Sequence, residues 1–281
     1  MNTVNIDSLD MEELNIYSKL SEVQLLRYHE PNPGIFIAES PNVIMRAISA
    51  GYEPISFLVQ DDLYEKEALP LIDNTAQIFG KDKVKDIKVY TAELDVINTL
   101  TGFAMTRGIL AAINRKPMED LDTFIESKKR LAILYDIVNP TNVGAIIRSA
   151  AALGMDGVML TNDCADPFYR RAARVSMGTV FQIPLIKVDI TIDKLNESGF
   201  TTVAMALTDD SLSISDKMIK EADKTAIVLG TEGEGLPKEV IDKCAYTAKI
   251  PMYHGVDSLN VAAASAVAFY ELCNKVNITY E

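Results

Sequence analysis

The chain has 281 residues, enough for two ordinary domains, and its 48% hydrophobic and 24% charged residues exclude a disordered or low-complexity protein. A formal net charge of −13 counts against nucleic-acid binding, which draws its affinity from basic side chains, so any such surface must be a local patch on an acidic body. The acidic start MNTVNIDSLDMEELN lacks an apolar signal core, no apolar run approaches the ~20 residues of a membrane helix, and the chain has three widely spaced cysteines and two distant histidines; together these predict a cytoplasmic protein with reduced thiols, no membrane attachment and no metal site.

Strand-like and helix-like pieces alternate through the first half. GIFIAES (34–40) and ISFLVQ (55–60) read as strands, with PNVIMRAISAGY between them as a helix that Gly51 ends. DIKVYTA predicts a third strand and ELDVINTLTG a helix, and this small α/β domain closes near RGILAAINRKP. The polar span 114–130, NRKPMEDLDTFIESKKR, suits a linker or a linking helix. The domain boundaries expected are therefore 1–120, with the linker after about 114, and 128–281. Residues 1–120 hold 11 Lys+Arg against 19 Asp+Glu, a net of −8, which leaves −5 for the remainder.

The second half opens on RLAILYDIV, a compact apolar run typical of a buried parallel strand. Pro140 ends the run, and Gly144 is expected to allow a tight turn into a helix whose buried side is Ile146, Ile147, Ala150, Ala151 and Leu153, with Gly154 as its stop. Arg148 interrupts that apolar stretch: it either snorkels to solvent or points into a site at the strand end. GVMLT, FQIPLIKV, FTTVAMAL, TAIVLG and YTAKIPM follow as strand-like runs with helix-like runs between them. This rhythm predicts a largely parallel sheet covered on both faces, with ligands in the loops after the strands.

Two further loops carry unusual residues. In LGTEGEGLP the spacing is Gly-x-x-Gly-x-Gly, in the wrong order for a dinucleotide loop, and Glu232 and Glu234 would repel a pyrophosphate. An acidic glycine-rich loop suits a ligand with positive charge, such as S-adenosylmethionine; a tight turn with solvated glutamates is an equal alternative. In IPMYHGVDSLNVAAASAVAFYEL, Ser258 makes a plausible N-cap and Asn260 needs a partner for its amide in the first helical turn. The small residues Ala262 to Ser265 permit close packing, within one chain or against a second copy.

Taken in order, these loops resemble the SpoU (TrmH) family of RNA ribose 2′-O-methyltransferases in the SPOUT superfamily. Asn142, Gly144 and Arg148 match its first motif, Gly230, Glu232 and Gly235 its second, and Ile250 to Met252 with Ser258 to Val261 its third. Where that third motif often continues with a serine, Ala262 stands here. The resemblance covers residues 128–281 strongly, and DPFYRRAARVSMGTVFQIP is similar to the family segment between the first two motifs. Less specifically, GIFIAESPNVIMRAISAGYEP and TGFAMTRGILA resemble the ribosomal-protein-like substrate-binding domain common in the family.

The resemblance implies an α/β protein: a small N-terminal substrate-binding domain followed by a parallel-sheet SPOUT domain whose C-terminal segment forms a deep trefoil knot. It also implies a homodimer, an RNA substrate (rRNA or tRNA), and S-adenosylmethionine bound by Leu229, Gly230, Thr231, Gly235, Ile250, Met252, Ser258 and Leu259. Methyl transfer to a ribose 2′-hydroxyl follows. Arg148 would stabilise the oxyanion, since guanidinium loses its proton only above pKa ~12. The proton acceptor is left open among Arg148, an RNA phosphate and water. Asn142 would orient Arg148 or the ribose, Glu232 would hold the arginine fork, and Ser258 and Asn260 would complete a polar wall. Arg170, Arg171 and Arg174 are expected on RNA phosphates, with solvated helix charges as the plainer reading. A non-catalytic RNA-binding or ribosome-associated module, and an S-adenosylmethionine enzyme with a non-RNA acceptor, are the alternative functions.

Overall fold

The computed structural model describes residues 2–99, 108–189, 191–231 and 233–273. The chain forms two compact units: Met1–Pro117 together with Phe168–Gln182, and Met118–Pro167 together with Ile183–Glu281. The first unit thus includes Phe168–Gln182, a segment that falls within the 128–281 span expected from sequence.

The first unit is built on five strands, β1 (Asn2–Asn5), β2 (Ile35–Glu39), β3 (Pro54–Gln60), β4 (Lys88–Ala92) and β5 (Ile109–Asn114), in the order β1-β4-β3-β5-β2. β3 and β4 are parallel, while β5 runs antiparallel to both β2 and β3. Alternation along the strands separates two faces. Ile35, Ile37, Leu58, Tyr90, Leu110 and Ala112 share a core with Leu14, Tyr17 and Leu25. Tyr17 is tied into it: its hydroxyl lies 2.9 Å from the Ser56 carbonyl, to which it donates, and accepts from the Ala112 amide, and burial raises its pKa. Phe36 points to the other face, where its ring lies 5.3 Å from those of Phe168 and Phe181 and 5.8 Å from Tyr52.

The Phe168–Gln182 segment is thus held by aromatic contact, and by charge as well. The Glu39 side chain, 1% exposed, receives the Arg170 Nε at 2.8 Å and the Arg174 Nη1 at 3.4 Å. The Arg170 amide donates to Glu22 Oε1 at 2.8 Å. Sequence reading offered these arginines phosphate or solvent; the structure gives two of them a buried carboxylate 131 and 135 residues away in the chain.

In the second unit, β6 (Arg130–Leu134), β7 (Gly157–Leu160), β8 (Leu185–Lys187), β9 (Thr201–Met205), β10 (Leu212–Ser213), β11 (Thr225–Leu229) and β12 (Tyr246–Lys249) form a sheet ordered β10-β12-β9-β11-β6-β7-β8. Every pairing is parallel. β11 and β7 are buried at every residue, as strands covered on both faces must be.

Several local expectations change. The helix after β6 spans Pro140–Ala152 and starts four residues before Gly144. Asn139 caps it by accepting from the Thr141 amide at 2.9 Å, and Pro140 occupies the first position, where a missing N–H costs nothing. Gly144 is therefore a buried helical residue. Ala151 and Leu153 are only half-buried, while Ile146, Ile147 and Ala150 form the buried side. Strands β1 and β5 and the Leu69–Phe79 helix have no counterpart in the sequence reading. The helix expected over 93–102 is Leu94–Asn98, and residues 101–107, TGFAMTR, lie outside the described residues. Within the expected linker, Asp120 caps a short helix, Leu121–Glu126. No helix among the described residues is long and apolar enough to cross a membrane.

Candidate active site at the strand ends of the second unit

Because β12, β9, β11 and β6 are parallel neighbours, their C-terminal ends emerge along one edge of the sheet. A cavity of about 580 Å³ opens there. The eight residues expected at the cofactor, Leu229, Gly230, Thr231, Gly235, Ile250, Met252, Ser258 and Leu259, all line it. So do Met205 to Thr208 at the end of β9, which sequence reading missed. Their signal was positional only: they follow a parallel strand, with no glycine or motif to mark them. The β9 loop is braced locally, since the Thr208 amide donates to the Ser211 hydroxyl at 2.8 Å and that hydroxyl donates to the Ala206 carbonyl at 2.9 Å.

The glycines of the acidic loop serve different ends. A Cβ on Gly230 would lie 2.5 Å from the Gly235 carbonyl carbon and 2.6 Å from the Leu236 nitrogen, so only glycine lets the loop fold back on itself. Gly233 and Gly235 have φ of +90° and +72°, a region that side-chain-bearing residues rarely adopt. The Gly235 amide closes the loop on the Thr231 carbonyl at 3.1 Å. Glu232, expected to hold the arginine fork, lies outside the described residues. Glu234 and Asp257, both exposed, are acidic residues of the cavity lining.

The third loop meets the first through two amides. Asn260 Nδ2 donates to Asn142 Oδ1 at 3.3 Å, and Asn260 Oδ1 accepts from the Ala262 amide at 2.9 Å. Asn260, rather than Ser258, thus caps the Val261–Cys273 helix; Ser258 sits upstream, exposed, on the cavity wall. Asn142 is buried on the Pro140–Ala152 helix, which packs against that terminal helix. Arg148 is exposed on the same helix, and its side chain makes no hydrogen bond or ion pair among the described residues.

The loop leaving β6 carries a feature with no sequence signal. Asp136 holds φ at +55°, and its amide donates to the Thr161 hydroxyl at 2.9 Å while that hydroxyl donates to Asp136 Oδ1 at 2.7 Å. Beside it the Ile137 amide donates to the buried Cys164 sulfur at 3.2 Å, and burial raises the thiol's pKa. No group of three or more His, Cys, Asp or Glu that could hold a metal occurs among the described residues.

Residues 129–270, half of the chain, match the profile of the SpoU rRNA Methylase family. The chain belongs to this family. An uncharacterized tRNA/rRNA methyltransferase of Mycobacterium tuberculosis is 32% identical over 241 residues, covering 84% of this chain and 80% of the relative. Two solved structures share the fold at lower identity. The AdoMet-bound rRNA methyltransferase from Sinorhizobium meliloti aligns with a TM-score of 0.76 at 22% identity, covering 96% of this chain and 97% of that one. An RNA 2′-O ribose methyltransferase aligns with a TM-score of 0.72 at 23% identity, again over 96% and 97%. The SpoU match begins one residue before β6 and ends inside the terminal helix, so it contains the loops after β9, β11 and β12 that line the cavity.

Proposed function

We propose that this SpoU-family RNA methyltransferase holds S-adenosylmethionine in the strand-end cavity and methylates a ribose 2′-hydroxyl of structured RNA, either rRNA or tRNA. One observation carries the reading: eight residues from separate motif loops converge on a single cavity. The AdoMet-bound Sinorhizobium meliloti relative and the 2′-O ribose methyltransferase relative support it.

The residues present fit the cofactor. A cavity of about 580 Å³ is within the ~300–1,000 Å³ of small-molecule sites. Leu229, Ile250, Met252 and Leu259 offer apolar surface for an adenine ring, while Thr231, Ser258 and the glycine-loop backbone offer hydrogen bonds to a ribose. When bound, S-adenosylmethionine supplies an activated methyl group at its sulfonium.

The protein's own contribution is to position the acceptor and stabilise developing negative charge. Arg148 presents a forked set of donors to the ribose oxygen. Asn142, tied to Asn260, orients that arginine or the ribose, and Ser258 continues the polar wall. The hydroxyl proton leaves to an RNA phosphate or water. Exposed Arg171 and Arg174, with Arg170 fixed beside them, contact RNA phosphates.

A homodimer belongs to the same reading. Tyr253, Val256, Leu259, Val267 and Tyr270, on the third loop and the terminal helix, are 39–80% exposed, and a second copy of the chain covers them. A dimer-completed site would explain why the Arg148 side chain has no hydrogen-bond or ion-pair partner among the described residues. Nucleoside analysis of rRNA and tRNA from a deletion strain tests the function: one missing 2′-O-methyl mark is expected, and an unchanged inventory of ribose methylation contradicts it.

A further inference from the structure

Three ionisable residues line the cavity among those described: Lys249, Glu234 and Asp257. The remaining lining is apolar side chains, glycine backbone, hydroxyls and one amide. Neither carboxylate has a hydrogen-bond or ion-pair partner among the described residues, in contrast to Asp193, Asp223 and Glu271, which are each paired with a lysine. The described lining therefore carries a net charge of −1, with two carboxylates open to a cation.

We infer that Glu234 and Asp257 give the cavity a preference for the cationic methyl donor over its neutral, demethylated product. The inference rests on the proposed cofactor and concerns what the acids do to it. S-adenosylmethionine and S-adenosylhomocysteine share the adenosine and the amino-acid zwitterion, so contacts to those parts cannot separate them. They differ by one methyl group and one positive charge on sulfur. A carboxylate near the cavity attracts the first through that charge and is indifferent to the second. Both acids are exposed, so each acts through partly screened charge, and its contribution is that of a surface pair. The consequence is directional: product leaves more readily than donor, and a fresh donor displaces it.

Isothermal titration of the full chain and of Glu234→Gln, Asp257→Asn and the double variant tests this, with S-adenosylmethionine and S-adenosylhomocysteine as probes. Each single substitution should weaken the donor about two- to fivefold and the double variant about tenfold, with the product's affinity held within twofold. The donor-to-product ratio of the parent protein should fall as salt is raised. Circular dichroism verifies that the variants fold. A ratio that the double variant leaves unchanged overturns the inference, whether both affinities fall together or neither moves. If the parent protein binds neither molecule, the cofactor reading itself is wrong and the inference goes with it.

Discussion

The first unit closes its charge inward, and the second leaves charge open at its strand ends. Glu39 is 1% exposed and is met by Arg170 and Arg174, while Glu234 and Asp257 line a cavity without a partner among the described residues. A buried carboxylate without its cations is costly, so the first arrangement fixes the Phe168–Gln182 segment within its unit. An exposed carboxylate beside apolar surface costs little to keep and is available to a ligand. Similar acidic residues thus stand in opposite settings, and only spatial surroundings distinguish them.

Gly230→Val should break the second unit's site most completely. The valine side chain meets loop backbone rather than open cavity, so the loop from Thr231 to Leu236 must move. Loss of S-adenosylmethionine binding by more than a hundredfold is expected in titration, with folded circular dichroism retained. Unchanged affinity would remove the glycine loop from the site.

Arg148→Lys probes the same site more gently, because it keeps the charge and loses the fork. Cofactor affinity should stay within twofold while the methylation rate drops by ~10²–10³. A near-normal rate would make Arg148 an ordinary surface arginine, as its exposure within one chain also allows.

The first unit should respond to charge removal in stability rather than in binding. Glu39→Gln leaves Arg170 and Arg174 to rehydrate from partly exposed positions, so the loss is about 1–2 kcal/mol, below the figure for a fully buried pair. Denaturant unfolding measures it, and cofactor affinity should not change.

The smallest effect concerns the end of the terminal helix. Hydrogen bonds from Lys220 and Ser215 hold the Glu271 carboxyl below its ordinary value of 4.5. A lowered folded pKa stabilises the protein above the unfolded value and loses that contribution as pH falls through the folded one. Amide exchange in the Val261–Cys273 helix should therefore be slower in the parent than in Glu271→Gln at pH 6, and the difference should vanish as pH falls well below 4.5. A difference that persists at low pH would assign the effect to packing.

The legibility of the chain follows from the same contrast. Strands such as TAIVLG were readable because parallel strands buried on both faces are continuous apolar runs. β1, Asn2–Asn5, is a polar four-residue edge strand and leaves no such trace, and β5 hides in ILAAIN, where alanines blur the pattern. The early helix start was legible in principle, as Asn139 followed by Pro140 is a cap and first-position pair, but Gly144 drew the boundary instead. The cavity's motif residues were readable because they come as short runs in order. The Asp136–Thr161 clasp and the Glu39–Arg170 pair were not, because each joins residues 25 or 131 apart that no periodicity links.

Methyl transfer to a ribose 2′-hydroxyl at the strand-end cavity is the function proposed for this SpoU-family protein. The most direct measurement incubates the purified protein with rRNA and tRNA from the deletion strain and S-adenosylmethionine labelled in its methyl group, then digests the RNA to nucleosides. Label is expected in a 2′-O-methylnucleoside, and none when Gly230→Val protein is used. Label confined to a base-methylated nucleoside, or label incorporated equally by the Gly230→Val protein, would contradict it.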